Sequence, residues 1–272
     1  MPTVAEKRRT FRILHETGCF VLPNPWDVGT TRYLQQLGFK AVATTSAGAA
    51  WSLGRADGET TLDAMLDHIR VIAEAADVPT NADFGDAFAS DPDNVAANVR
   101  RCAETGVAAL SVEDSTPDPA KPLYDFDLAV ERIKAASAAL AGTGVMLVAR
   151  SECFLTGHPE PRKEAIRRLT AFAEAGADCL YAPGAMTRED ISAIVKAVAP
   201  KPVNVLSRGQ GLNVAEIAAL GARRVSIGGS LARVAWTGLT KAARELAEHG
   251  TFGGFDGALS NADVNALFTR RM

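Results

Sequence analysis

The side chains with the means to do chemistry in this sequence cluster where short apolar runs give way to loops, and most of them are acids. Asn81, Asp83 and Asp86 close "VPTNADFGD", Glu113 and Asp114 close "AALSVED", and Arg150 and Glu152 follow from "VMLVARSE". Thr45, Ser46 and Gly48 in "KAVATTSAGAA" add hydroxyls and close backbone N–H groups that suit an oxyanion. Carboxylates gathered at one place repel unless a cation lies among them, and oxygen donors without imidazole or thiolate select Mg2+, with Mn2+ as the alternative ion. The oxygens of Asn81, Asp83 and Asp86 after one run, and of Glu113 and Asp114 after the next, are the candidate donors. Arg150 offers a rigid fork for a carboxylate, so a small, multiply anionic substrate is expected.

Each residue also has a plainer role. Asp83 could cap the helix that begins near Asp91, Glu113 and Arg150 could form an internal ion pair, and "TTSAGAA" could be a tight loop. Placement on successive strand ends argues for the chemical role. His158, in the loop "LTGHPEP", is a weaker acid–base candidate, and His15, His68 and His249 fall on helices and are expected at the surface. Trp26 could wall the pocket or cover the rim.

The elements that must position these groups repeat along the chain. "QLGFKAV", "ETGVAAL", "EAGADCL" and "ALGARRV" each end a helix at a glycine suited to the left-handed conformation and start an apolar strand directly after it. Eight apolar runs, "CFVLP", "KAVATT", "VPTNAD", "AALSVED", "VMLVAR", "DCLYAP", "KPVNVL" and "RRVSIGG", alternate with helical segments. Continuous rather than alternating apolar character marks strands covered on both faces, as in parallel sheets. The expected fold is therefore α/β, a (β/α)8 TIM barrel in one domain over residues 1–272, with an open doubly wound sheet as the second choice. In such a barrel the functional groups lie at the C-terminal ends of the strands. Residues from about 231 to 272 form a helical extension broken at "GTFGGFDG", which predicts a C-terminal helix packed on a neighbouring subunit.

Composition narrows the partners. With 47% hydrophobic and 22% charged residues over 272 positions, the chain can bury one large core. A net charge of -3 with scattered Lys and Arg argues against nucleic acid. Cys19, Cys102, Cys153 and Cys179 lie too far apart for a zinc motif and are expected as reduced core thiols. No signal-like or membrane-length apolar run occurs, so a cytoplasmic protein without membrane attachment is expected.

Taken in order, "TTSAGAAWSLGRADGE", "NADFGDAF", "SVEDS" and "VARSE" resemble the isocitrate lyase/phosphoenolpyruvate mutase superfamily, and the likeness runs from "VLPNPWDVGTT" through "RRVSIGGSLARVA". That resemblance implies a barrel with a helix swapped between subunits of a homodimer or homotetramer, and Mg2+-dependent making or breaking of a bond beside a 2-oxo acid. It places Thr45, Ser46 and Ala47 at the oxo-acid end, Asp83 and Glu113 at the metal, Arg150 on a carboxylate, and Asp57 near the metal shell. Arg150, Glu113 and Asp57 are then the catalytic candidates.

Three departures from the family pattern guide the choice of reaction. The segment after Glu113, "DSTPDPAKPLYDFD", lacks the cysteine loop of the succinate-forming lyases. It also lacks the Lys and Asn pattern of phosphonate enzymes, retaining only a displaced Lys121. At strand three the usual Asp-x-Asp-x-Gly-Tyr-Gly becomes "NADFGDAFA", with Asn81 for an acid and Ala87-Phe88-Ala89 for the flexible loop. The expectation is an Mg2+-dependent lyase that cleaves a carbon–carbon bond of a small 2-oxo or 2-hydroxy (di)carboxylate through an enolate, 2-methylisocitrate lyase-like or oxaloacetate decarboxylase-like. The alternatives are a carbon–phosphorus enzyme, phosphonopyruvate hydrolase or phosphoenolpyruvate mutase-like, and a non-catalytic oxo-acid binder.

Overall fold

The computed structural model describes residues 2–209 and 211–269. Eight parallel strands follow the chain: β1 (Phe20–Leu22), β2 (Val42–Ala43), β3 (Thr80–Asp83), β4 (Ala109–Glu113), β5 (Met146–Arg150), β6 (Cys179–Tyr181), β7 (Val203–Leu206) and β8 (Arg224–Ser226). They pair in the order β1-β8-β7-β6-β5-β4-β3-β2. At the seam between β1 and β2 the Ala43 N–H donates to the Pro23 carbonyl at 2.9 Å, and the Asn24 amide donates to the Thr44 carbonyl at 2.8 Å. The sheet is a TIM barrel, as the eight apolar runs predict, and every expected strand falls within its run.

The helices are α1 (Val4–Leu14), α2 (Val28–Gln36), α3 (Ser46–Ser52), α4 (Leu62–Ala75), α5 (Pro92–Ala103), α6 (Phe126–Leu140), α7 (Pro161–Glu174), α8 (Arg188–Val198), α9 (Val214–Ala219), α10 (Ser230–His249) and α11 (Asn261–Thr269). Gly38, Gly106, Gly176 and Gly221, the joints read from the sequence, all take positive φ. The period of two along each strand sorts its side chains. Leu110, Val112, Leu147 and Ala149 pack outward against Val99, Ile133 and Leu169 of the helices. Asp83, Glu113 and Arg150, in alternate register, end up at the mouth of the lumen.

Helix α1 lies under the barrel. Lys7 caps the C-terminal end of α4 through the Ala73 and Ala76 carbonyls, and Arg8 donates to the carbonyls of Ala103, Val107 and Thr143. Phe11, fully buried, packs with Leu22, Ala109, Met146 and Cys179 at the bottom of the lumen. His15 departs from its expected surface position: it ends α1, buried against the rings of Phe11 and Phe20, because the helix turns that face toward the barrel floor. His68 is half-buried on α4, and His249 is exposed as expected.

The C-terminal extension behaves differently from the rest. In α10 only Ala232 is buried, while Val234, Trp236 and Leu239, and beyond the helix Phe252, Phe255 and Leu259, are exposed. Helix α11 turns back onto α2 of the same chain. Residues 270–272, the end of the expected extension, lie outside the described residues. Among the described residues no helix is long and apolar enough to cross a membrane.

Candidate active site

The strand ends of β2 to β5 open into a cavity of about 860 Å³ whose walls include Ser46, Asp57, Asp83, Glu113, Arg150 and Glu152. Thr45 is the N-cap of α3, its hydroxyl accepting from Gly48 N–H at 3.3 Å. A side chain at position 48 could not fit: its Cβ would stand 2.6 Å from Thr45 Cγ2 and 2.9 Å from Trp26 Cβ. Trp26 therefore covers the start of α3 from outside and is absent from the cavity wall. The Ser46 N–H donates to Asp83 Oδ2 at 3.0 Å, which ties the α3 turn to β3, and Ala47, next in the chain, lines the cavity.

Arg150 holds the centre. Its Nη1 lies 2.8 Å from Asp83 Oδ1 and 3.1 Å from Glu113 Oε2, and its Nη2 lies 2.9 Å from Glu152 Oε1. The ion pair considered as the plainer role of Glu113 and Arg150 is thus present, enlarged to three acids. Ser115 Oγ donates to Glu113 Oε1 at 2.6 Å. Glu113 and Glu152 share one guanidinium, so the protonation of these two is linked. Burial, opposed by Arg150, pushes Glu152 up to about 8 and raises Glu113 as well, while Asp83 adds to the rise at Glu113. Against the cost of its own burial, the charges of Glu113, Glu152 and Asp83 hold Arg150 well above its ordinary range. Asp57 is also raised, by burial and then by the charge of Asp83. The mouth carries more acid than its one central guanidinium neutralises.

That surplus is the test of the expected cation. Mg2+ takes one or two carboxylates and fills the rest of its shell with water and substrate oxygens, so Asp83 and Glu113, meeting at a single nitrogen, fit it by donor type. Among the described residues no three His, Cys, Asp or Glu side chains form a ready cage, since Arg150 separates the acids.

Of the other expected residues, Asn81 and Asp86 line the same cavity, whereas Asp114, His158 and Cys153 do not. Asn81 lies a layer deeper than Asp83; its Nδ2 donates to the Ala82 carbonyl at 2.9 Å and its oxygen accepts from Arg224 at 3.2 Å. Asp86 accepts from the Phe88 N–H at 2.8 Å. Asp114, buried behind the mouth, pairs with Arg168 at 3.1 Å and accepts from the Glu152 N–H. Asp91, and not Asp83, caps α5. His158 Nδ1 accepts from the Glu160 N–H, and neither His158 nor Cys153 reaches the cavity wall. Ala87 and Phe88 take left-handed φ of 59° and 55°, where the family has a glycine-containing loop. Such backbone costs of order 1–3 kcal/mol per residue, and Arg132, donating to the Asp86 and Ala89 carbonyls, holds it in place.

Tyr181, Asn204, Arg224 and Ser226 also line the cavity and escaped the sequence reading. The available signal was an Asn in "KPVNVL" and an Arg in "RRVSIGG", polar residues interrupting otherwise apolar strands.

The profile of the phosphoenolpyruvate phosphomutase family matches residues 11–247. An oxaloacetate decarboxylase of Paraburkholderia xenovorans is 31% identical over 228 residues, covering 81% of this chain and 74% of that protein. A crystal structure from Burkholderia cenocepacia, described only as a lyase/mutase, is 42% identical with a TM-score of 0.92, covering 98% of this chain and 97% of that one. A phosphonopyruvate hydrolase solved with oxalate and Mg2+ is 26% identical with a TM-score of 0.83, covering 96% and 94%.

Proposed function

The chain belongs to the phosphoenolpyruvate phosphomutase family, within the isocitrate lyase/phosphoenolpyruvate mutase superfamily of lyases and mutases, and from that premise we propose that it is an Mg2+-dependent lyase cleaving a carbon–carbon bond of a small 2-oxo or 2-hydroxy dicarboxylate through an enolate. The observation that carries the reading is the meeting of Asp83 and Glu113 on one nitrogen of Arg150 at the barrel mouth. Those two carboxylates would hold the ion, directly or through water. When bound, Mg2+ supplies charge to the oxygens on which the electrons of the broken bond collect.

The remaining roles belong to the chain itself. Ala47, beside Thr45 and Ser46 at the start of α3, binds the oxo-acid carboxylate, and Arg150 orients the carbonyl end while bridging Asp83 and Glu113. Asp57, exposed on the cavity wall with its carboxyl raised by partial desolvation and then by the charge of Asp83, is the group that would hold a proton near the reacting atoms. The loop from Phe84 to Ala89, pinned by Arg132, supplies Phe84, Gly85, Asp86 and Phe88 to the cavity wall.

Carbon–carbon cleavage is favoured over carbon–phosphorus chemistry by the segment after Glu113. Its one lysine, Lys121, points to Asp125 at 2.6 Å on the exposed loop and is absent from the cavity wall. Decarboxylation fits best, since a departing carboxylate needs no acid thiol, and the thiol of Cys153 is pushed up to about 11 by burial and lies off the wall. The test is a parallel assay with Mg2+ on oxaloacetate, 2-methylisocitrate, 2,3-dimethylmalate and phosphonopyruvate. Pyruvate from a carbon substrate is the expected product. Phosphate or phosphoenolpyruvate from phosphonopyruvate alone reverses the choice of bond, and a ligand-induced thermal shift without turnover of any substrate points to a binder.

A further inference from the structure

Arg224 stands out among the buried cations. It is 2% exposed and points across the lumen, with Nε donating to Asn204 Oδ1 at 2.9 Å and Nη1 to Asn81 Oδ1 at 3.2 Å. Among the described residues no carboxylate pairs with it, and Nη2 has no acceptor yet is not sealed by protein, because the residue lines the cavity. The other buried arginines are placed differently, and the unpartnered Nε of Arg132 is sealed in protein away from the cavity. Arg150 has three acids, Arg168 pairs with Asp114 and Glu164, and Arg132 donates to three main-chain carbonyls. The Phe11 ring lies 6.0 Å from the guanidinium, but a buried cation with no carboxylate beside it is costly, and its open donor can bind an anion.

The surroundings fix what that anion can be. The Arg150 guanidinium lies over the Tyr181 ring, 5.0 Å from its centroid, and Tyr181 is in register with Asn204, the partner of Arg224. The two cations thus share one lumen. Asn204 is itself fixed, donating to Ser226 Oγ at 2.9 Å, so its oxygen stays turned to Arg224. Asp57, Asp83, Asp86, Glu113 and Glu152 make the mouth acidic, whereas no acid lines the floor. A second negative group on a substrate is repelled above and accepted below.

We infer that Arg224 forms an anion subsite on the cavity floor and receives the distal carboxylate of a dicarboxylate whose oxo- or hydroxy-acid end is held at the mouth. The identity of that upper end rests on the proposed lyase reading; the preference for a second carboxylate does not. The proposal makes Arg224, and not the exposed Arg208 or Arg233 of the rim, the residue that selects dicarboxylates.

Isothermal titration with Mg2+ present tests this with two matched pairs: 2-hydroxybutyrate against malate, and 2-oxovalerate against 2-oxoglutarate, in which a terminal methyl is replaced by carboxylate. Oxalate, too short to reach the floor, reports on the mouth. The wild type is expected to prefer the dicarboxylate of at least one pair by about tenfold or more, and Arg224→Met to lose that preference while keeping its oxalate affinity. A wild type without preference in either pair, or an R224M protein that keeps it, overturns the subsite. A wild-type crystal grown with malate and Mg2+ gives a check independent of how the variant folds: the distal carboxylate belongs on Nη2 of Arg224, and its appearance on Arg208 or Arg233 overturns the assignment. Failure of oxalate to bind in a metal-dependent way counts against the lyase reading alone, because the matched pairs still decide the subsite.

Discussion

Arg150 on β5 stands 2.8 Å from Asp83 on β3, reaching across the strand between them and taking in Glu113 on the way. The guanidinium therefore does in part what a metal ion would do at the mouth: it keeps neighbouring carboxylates together. Arg150→Met should take the shared cation from buried Glu152 and from half-buried Asp83 and Glu113, and destabilise the metal-free protein by up to about 3–5 kcal/mol. Denaturant unfolding with and without Mg2+ measures this, and the loss should shrink when the ion is present. Equal losses in both conditions would separate Arg150 from the metal site.

Asp83→Asn and Glu113→Gln preserve shape and remove charge. Each is expected to weaken Mg2+ uptake in calorimetry and to lower kcat/KM by about 10²–10³-fold. Chelation of the wild type should abolish turnover. Full activity in excess EDTA would end the metal reading.

Glu152 gives the mouth a pH signature. Its carboxyl is held near 8 in the folded protein against an ordinary value of 4.5, so the folded state binds the extra proton between those limits. Stability contributed by that proton is present at the acid end of the window and falls as pH rises from about 4.5 to about 8. Glu152→Gln, which imitates the neutral acid, should flatten this part of the melting-temperature profile. An unchanged slope in E152Q would show that Glu152 ionises normally.

His15 acts in the opposite direction. Burial, with Arg224 nearby, lowers it from 6.5 to about 3, so the unfolded chain takes up a proton that the folded one refuses. Stability is therefore lost as pH falls from about 6.5 toward 3, and His15→Phe should remove that loss. Thermal melts of both proteins across the range provide the comparison. A parallel acid decline in H15F would assign it to other groups.

The exposed apolar face of α10 should be covered by a second subunit. Light scattering is expected to find a dimer or tetramer, and Val234→Asp combined with Leu239→Asp should shift it to monomer. A wild type that is monomeric at micromolar concentration would remove the proposed swap.

The barrel was legible because parallel strands buried on both faces read as apolar runs, and because helix ends need glycine where φ is positive. Asp83, Glu113 and Arg150 were legible for a related reason: polar residues ending such runs must face the mouth. The floor was harder. Asn204 and Arg224 sit inside runs that average as apolar, and only the alternation within a three- or four-residue strand turns them inward. His15 was misplaced because a helix lying under a barrel is amphipathic in the same way as one lying on its side. Glu152 was visible as a strand-end acid, but its shared partner depends on distances across strands that spacing does not encode.

Phe11 stoppers the lower end of the lumen, which makes it a blind alley with a single door. Whatever is made deepest must wait for whatever lies nearer the entrance, so departure runs in reverse order of depth. A product that keeps a carboxylate on Arg224 would be the last to go, and one held only at the mouth the first.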